Sequence, residues 1–334
     1  MRYDIFAERI DNFGDMAIAL RLAEGLSTKK NPSRLFIKQD SLFLDFLKLQ
    51  GKYNFELMNI EEIENNLAPA KVIISIFDAQ IPHNYLNKIK QITQLYIYEY
   101  LSAETWVEDF HLKNSLSPIF FLKKKYFYPG FTRNTGGLLY DKKKKKFPRS
   151  KLASKIRSSK KEGNITLSLF CYPHNDIITL IQNFRELDMP FDAYIPEELL
   201  QNKFELNLHP FPMLPMFEYD QLLESCDINF VRGEDSLCRA IFSQKPFIWQ
   251  PYVQKDGIHL TKLKAFIDLF YCHADNQIRD IVREIFFEWN EGCICKEKLS
   301  KYVHHLSHIA NYHVVRSKQI MLNKTVFEIF QESC

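Results

Sequence analysis

No apolar run in this 334-residue chain is long enough to cross a bilayer; the longest stretches, such as Val72 to Phe77, are far too short. The start of the chain lacks the apolar core of a secretory signal, because Arg2, Asp4, Glu8, Arg9 and Asp11 interrupt it. Both absences predict a cytoplasmic protein with no membrane partner. A disulfide framework is equally absent, since 7 cysteines, an odd number, are scattered through a long chain and fit buried reduced thiols. The 10 glycines form no Gly-x-Gly-x-x-Gly, and no Walker lysine motif occurs. That weakens the dehydrogenase and ATPase classes. No Asp-x-Asp, no internal repeat and no long Gly/Ser linker are found.

What is present is an ordinary globular balance, 46% hydrophobic and 25% charged, with 28 Phe. Length favours two lobes. The net charge of +3 conceals a sharp asymmetry: residues 142 to 161 hold eleven Lys or Arg and no acid, beginning with the run Lys142 to Lys146. Such a run repels itself and reads as an exposed connection. It lacks the interleaved aromatics of a nucleic-acid platform, so no nucleic-acid partner is expected. The division expected is therefore 1–150 and 151–334.

Residues 3 to 10 read as a strand, followed by a loop at 11 to 15 and a helix with Ile18, Leu22 and Leu26 on one face. Arg34 to Ile37, Val72 to Phe77 and Leu95 to Tyr98 are further strands. The pattern restarts beyond the lysines with Ile165 to Phe170, a helix over 175 to 186 and a strand beginning at Ala193. Then come Ile228 to Val231, a loop, a helix from Ser236 to Ser243, and a strand from Pro246 to Trp249. From Lys296 onward the chain reads as helical. Strands alternating with helices predict an α/β fold with two doubly wound, Rossmann-like domains facing a central cleft.

Two loops carry candidate chemistry. Asp11 and Asp15 flank Gly14 where a strand meets a helix, the usual ligand edge of an open α/β sheet. They either converge on a shared task or serve as loop and cap residues. The second loop, Arg232-Gly233-Glu234-Asp235-Ser236, joins a strand to a helix N-terminus suited to a diphosphate. Gly233 permits close backbone approach, Arg232 adds a cation and Glu234 can accept from ribose hydroxyls; a capped helix is the plainer alternative. Cys293 and Cys295 with His304 and His308 match no zinc spacing and read as a His-rich surface helix.

Several ordered blocks go further. They are Ile10-Asp11-Asn12-Phe13-Gly14-Asp15, the stretch Tyr100 to Asp109 with His111, Tyr128-Pro129-Gly130-Phe131 and Thr135-Gly136-Gly137-Leu138. In the second half come Leu169-Phe170-Cys171-Tyr172, Val231 to Ser236, Arg239-Ala240, Pro246 to Trp249, Gln254, His259 and Lys262-Leu263. With these, nearly the whole chain resembles the EarP-type protein-arginine rhamnosyltransferases of bacteria. The resemblance implies a GT-B fold and an inverting transfer of rhamnose from TDP-β-L-rhamnose to an arginine of elongation factor P. It implies Asp15 as general base with Asp11 as partner carboxylate. Phe170 and Tyr172 would hold the nucleotide, and Arg232, Glu234, Asp235 and Ser236 would line the ribose and diphosphate around Gly233. No cofactor is implied beyond the donor substrate, and the missing Asp-x-Asp points to metal-independent turnover. One departure stands out: Pro215-Met216 replaces the family's Pro-Gln, removing a base contact. It keeps open another sugar-nucleotide enzyme on the same fold, such as a small-molecule glycosyltransferase or an epimerase. A non-catalytic protein using the lysine run is the third class.

Overall fold

The computed structural model describes residues 1–9, 12–63, 66–117, 119–142, 147–200 and 207–333, with Asn12 and Lys255 described by their backbone alone. The chain folds into two compact units, Met1–Lys144 with Asn323–Cys334, and Lys145–Leu322.

The first unit is built on β1 (Tyr3–Phe6), β2 (Arg34–Ile37), β3 (Glu56–Asn59), β4 (Val72–Ile76), β5 (Thr93–Tyr98), β6 (Asn114–Ser115) and β7 (Leu122–Phe127). Their order is β3-β2-β1-β4-β5-β7-β6, parallel throughout except β6 against β7. β1, β2 and β4 are buried along their whole length, which is why they read as unbroken apolar runs. The connecting helices are α1 (Asn12–Leu26), α2 (Ser41–Gln50), α3 (His83–Leu86) and α4 (Trp106–Phe110). Phe6 stacks on Phe36 at 4.5 Å in a core that also takes Ile73, Tyr85, Ile97 and Leu122. Asp4 sits in this core, fully buried. Arg34 grips it with two bonds of 2.6 Å, Ala70 N–H donates at 2.9 Å and the Tyr85 hydroxyl donates as well. A buried carboxylate is tolerable only with such complete pairing.

The last helix, Val326–Ser333, belongs to this first unit, which corrects the expected assignment of residues 151–334 to one domain. Phe330 stacks on Phe127 at 4.2 Å and meets the edge of Tyr96 at 5.3 Å. Val326 N–H donates to Leu138 O at 3.1 Å, and Asn323 Nδ2 donates to Phe131 O at 2.8 Å. Gly137 makes this return possible: its φ is +69°, and a Cβ there would collide with the Lys324 carbonyl. The Thr-Gly-Gly-Leu block is therefore a receptor for the chain's own end. Of the lysine run, Lys143 to Lys146 lie outside the described residues; Lys142 pairs with Glu328 at 2.9 Å.

The second unit has β8 (Ile165–Leu169), β9 (Phe191–Pro196), β10 (Leu208–Phe211), β11 (Ile228–Arg232) and β12 (Phe247–Gln250), all parallel in the order β10-β9-β8-β11-β12. Its helices are α5 (Lys151–Ser159), α6 (Ile177–Glu186), α7 (Met216–Ser225), α8 (Gly233–Ser243), α9 (Ile258–Phe270), α10 (Asn276–Glu291), α11 (Lys296–His304) and α12 (Leu306–Met321). The core is aromatic, with Trp289 against Phe230 at 4.8 Å and Phe247 against Phe270 at 5.4 Å. No helix among the described residues is long and apolar enough to cross a membrane.

Candidate active site

Among its parallel strands each sheet reverses its order once, between β1 and β4 in the first unit and between β8 and β11 in the second. Such a reversal splays the loops at the carboxyl ends of the two strands and opens a ligand crevice. The predicted residues that are described sit at these two places.

In the second unit, β8 runs out into Phe170, Cys171 and Tyr172, and β11 ends on Arg232. Phe170 N–H donates to Phe230 O at 3.0 Å, holding the two strand ends together. Phe170 and Tyr172, two positions apart in extended chain, present their rings to the same side. The Arg232 guanidinium lies over both, 4.4 Å from the Phe170 centroid and 5.1 Å from that of Tyr172. Its Nη1 donates to Cys171 O at 2.8 Å. The sequence predicts Arg232 as a cation in the loop; it is a cation already fixed in orientation by two rings and a carbonyl. Cys171, wholly buried beneath, has its thiol pushed up to about 12 by burial, so it plays no ionic part.

The chain turns from β11 into α8 at Gly233, whose φ of +68° is open to glycine at little cost. Trp249 Nε1 donates to Gly233 O at 2.8 Å and pins the turn. Glu234, Asp235 and Ser236 then form the first turn of α8, where backbone N–H groups lack helical partners and the dipole favours an anion. Helix α8 starts at Gly233, three residues before the expected Ser236. Asp235 and Ser236 are buried, and Asp235 Oδ1 lies 3.7 Å from Arg239 Nε one turn on. The Asp235 carboxylate is thus shared with its own helix.

Two amides stand outside the predicted site residues: Gln250, which the sequence leaves unmarked, and Gln254, which it marks only through the family resemblance. Gln250, fully buried at the end of β12, accepts from Tyr172 N at 3.1 Å and donates to Asn175 Oδ1 at 2.6 Å. It clamps the Tyr172 loop to the neighbouring strand. Four residues later Gln254 has a buried Oε1 with no hydrogen-bond partner. Its N–H donates to His259 Nδ1 at 3.4 Å, in a loop where Asp256 takes φ +64°. A buried acceptor left unmatched is costly unless something supplies its donor. Met216 opens α7, and Tyr219 on its next turn meets Phe170 edge-on at 5.4 Å, so the helix that carries the position of the missing glutamine borders the Phe170 loop.

In the first unit, Asp15 occupies the first turn of α1 beyond the carboxyl end of β1 and is 6% exposed. Asp11 lies outside the described residues. The block from Tyr100 surrounds the neighbouring strand ends: Ser102 bridges Gly130, and its hydroxyl accepts from Glu104 N at 3.1 Å. His111 Nδ1 accepts from Tyr128 N at 3.1 Å, and burial lowers the ring's pKa to about 4, leaving it a neutral structural group. Among the described residues no group of three or more His, Cys, Asp or Glu side chains is placed to hold a metal ion. Cys295 instead precedes α11, and His304 ends it.

Two doubly wound sheets, parallel throughout except β6, have the GT-B architecture of glycosyltransferases. Solved structures of that class share the fold. A structure described as the basis for EarP-mediated arginine glycosylation of translation elongation factor EF-P matches at TM-score 0.62 and 17% identity, covering 99% of this chain and 97% of that one. The glycosyltransferase VinC in complex with dTDP matches at TM-score 0.60 and 8% identity, covering 99% and 98%. Residues 3–330 match the model of the family described as Elongation-Factor P (EF-P) rhamnosyltransferase EarP, and the chain belongs to that family. Its relatives include the protein-arginine rhamnosyltransferases of Shewanella oneidensis, 30% identical over 341 residues with 87% of this chain and 86% of the relative covered, and of Pseudomonas aeruginosa, 26% identical with 87% of each covered. It is an enzyme of the arginine rhamnosyltransferase class.

Proposed function

We propose that the chain transfers rhamnose from TDP-β-L-rhamnose to an arginine side chain of elongation factor P, with inversion at the anomeric carbon. The observation that carries the donor half is Arg232, held over Phe170 and Tyr172 at the β8–β11 switch point and followed at once by the N-terminus of α8. A diphosphate fits a guanidinium and the positive end of a helix dipole together, and the buried, unmatched Gln254 Oε1 is assigned a sugar hydroxyl of the donor.

In the reaction one guanidinium nitrogen attacks the anomeric carbon. The bond from that carbon to the β-phosphate oxygen breaks, and TDP leaves with the electron pair. Free arginine stays charged, its pKa above ~12, so no carboxylate neutralises it beforehand. The proton is lost to Asp15 as the carbon–nitrogen bond forms and the nitrogen becomes acidic. Asp11, four positions earlier, is assigned the remaining N–H groups. Arg232 and the first turn of α8 take up the charge developing on TDP. Asp15, buried in the first turn of α1, acts with little competing water.

Peptide mapping of elongation factor P after reaction, with the product's anomeric proton read by NMR, tests this. One rhamnose on one arginine with inverted configuration is expected; retention, or rhamnose on another residue type, overturns it. The second reading, a different sugar-nucleotide substrate, draws on Met216 in the helix that borders the Phe170 loop. Binding of UDP- and TDP-sugars side by side separates the two.

A further inference from the structure

The carboxyl edge of the first sheet holds a feature that the donor loop leaves unexplained. Strand β4 stops at Ile76, and the next two residues, Phe77 and Asp78, both take left-handed backbone conformations, φ +54° and +57°. Side chains with a Cβ disfavour that region, and a fold keeps such residues where surrounding contacts impose them, often at ligand sites. The effect here is specific. Phe77 N–H still donates to Tyr98 O at 2.8 Å, while the turn lays the Phe77 ring flat on Tyr100, centroids 4.0 Å apart and planes within 6°. Tyr100 is 37% exposed, so the stack stands at the surface and not in the core beneath the sheet.

Its position matters. β4 is the hydrogen-bonded neighbour of β1, and the β1–β4 reversal is the switch point beyond which Asp15 lies. Gln80 N–H donates to Glu8 Oε1 at 2.9 Å, tying the loop after β4 to the loop after β1. The edge is acidic and aromatic: Glu99 is half-buried beside Tyr100, while Arg9 pairs with Asp40 at 2.9 Å and Lys124 with Asp78 at 4.0 Å. A guanidinium is planar, weakly hydrated and drawn to the face of an aromatic ring.

We propose that the Phe77–Tyr100 stack is the platform on which the acceptor's guanidinium lies flat while Asp15 receives its proton. This rests on the reading of the chain as an arginine-modifying transferase. Phe77 orients Tyr100, and Tyr100 makes the contact.

The test compares full-length wild type, Tyr100→Leu and Tyr100→Phe, titrating elongation factor P at saturating TDP-rhamnose, with TDP binding measured alongside. Tyr100→Leu raises the acceptor KM about 3- to 30-fold, with donor KM and TDP affinity unchanged, and Tyr100→Phe stays close to wild type. An unchanged acceptor KM, or donor and acceptor constants moving together, overturns the platform. Methylguanidinium provides a readout independent of turnover. Its NMR titration shifts the Phe77 and Tyr100 ring signals of wild type if the platform exists, and leaves them still if it does not. Should wild type modify no arginine, the transferase reading fails on its own, and the methylguanidinium titration still decides the stack.

Discussion

Replacing Arg232 separates charge from position. In the structure its guanidinium spans two rings, 4.4 and 5.1 Å from their centroids, while one N–H reaches Cys171 O at 2.8 Å. A lysine keeps the charge but can neither lie flat across both rings nor hold that bond while turned toward a diphosphate. Removing a preorganised group that stabilises developing charge costs about 2.7–4 kcal/mol, or 10²- to 10³-fold in kcat. Arg232→Met is therefore expected to fall by that amount. For Arg232→Lys the lost stacking is about 0.5–2 kcal/mol and the lost charge-assisted bond about 1.5–3 kcal/mol. These terms overlap, so a loss of about 10- to 100-fold is expected. The assay is steady-state turnover at saturating donor and acceptor, with TDP affinity by calorimetry. Arg232→Lys within twofold of wild type refutes the argument, because fixed orientation would then contribute nothing.

Three further outcomes follow from the geometry. Gly137→Ala, strained at φ +69° and obstructed by the Lys324 carbonyl, is expected to displace the C-terminal helix and lower the thermal stability of the first unit, with TDP binding by the second unit retained. Gln254→Met is expected to raise the donor KM about 2- to 10-fold, the worth of one neutral hydrogen bond, measured in the same turnover assay. His313 is wholly buried and held neutral, its pKa lowered to about 3 by burial, with Nε2 accepting from Tyr271 and Nδ1 facing Lys245 O. Its folded pKa lies below the unfolded value of ~6.5, so the unfolded state alone gains a proton as the pH falls. Stability present above about pH 6.5 is then lost progressively toward pH 3, and denaturant midpoints of the second unit across that range check it, His313→Phe showing a shallower slope.

Buried parallel strands announce themselves because both faces are apolar, so β1, β4, β8 and β11 stand out in the sequence. β3 and β10 do not, since half-exposed edge strands such as Glu56–Asn59 carry no such run. The strand read over residues 3 to 10 ends at Phe6, and the one read to Phe77 ends at Ile76, where the backbone turns left-handed. The Arg232–Ser236 loop is legible through Gly233 between a strand and a helix. Gln250 is not, and Gln254 is marked only by the resemblance without its burial, because an amide's burial depends on neighbours far along the chain. The return of the C-terminal helix is hidden for the same reason: a contact between Phe330 and Phe127 leaves no local pattern. Gly136-Gly137 marks the place without naming its occupant.

The central claim is that this chain places rhamnose on an arginine of elongation factor P, with Asp15 as the base. Intact mass of that factor, after incubation with the protein and TDP-β-L-rhamnose beside an Asp15→Asn control, tests it most directly. The account predicts a gain of one deoxyhexose with wild type and none with the control over the same interval. No gain with wild type, or an equal gain with both proteins, would contradict it.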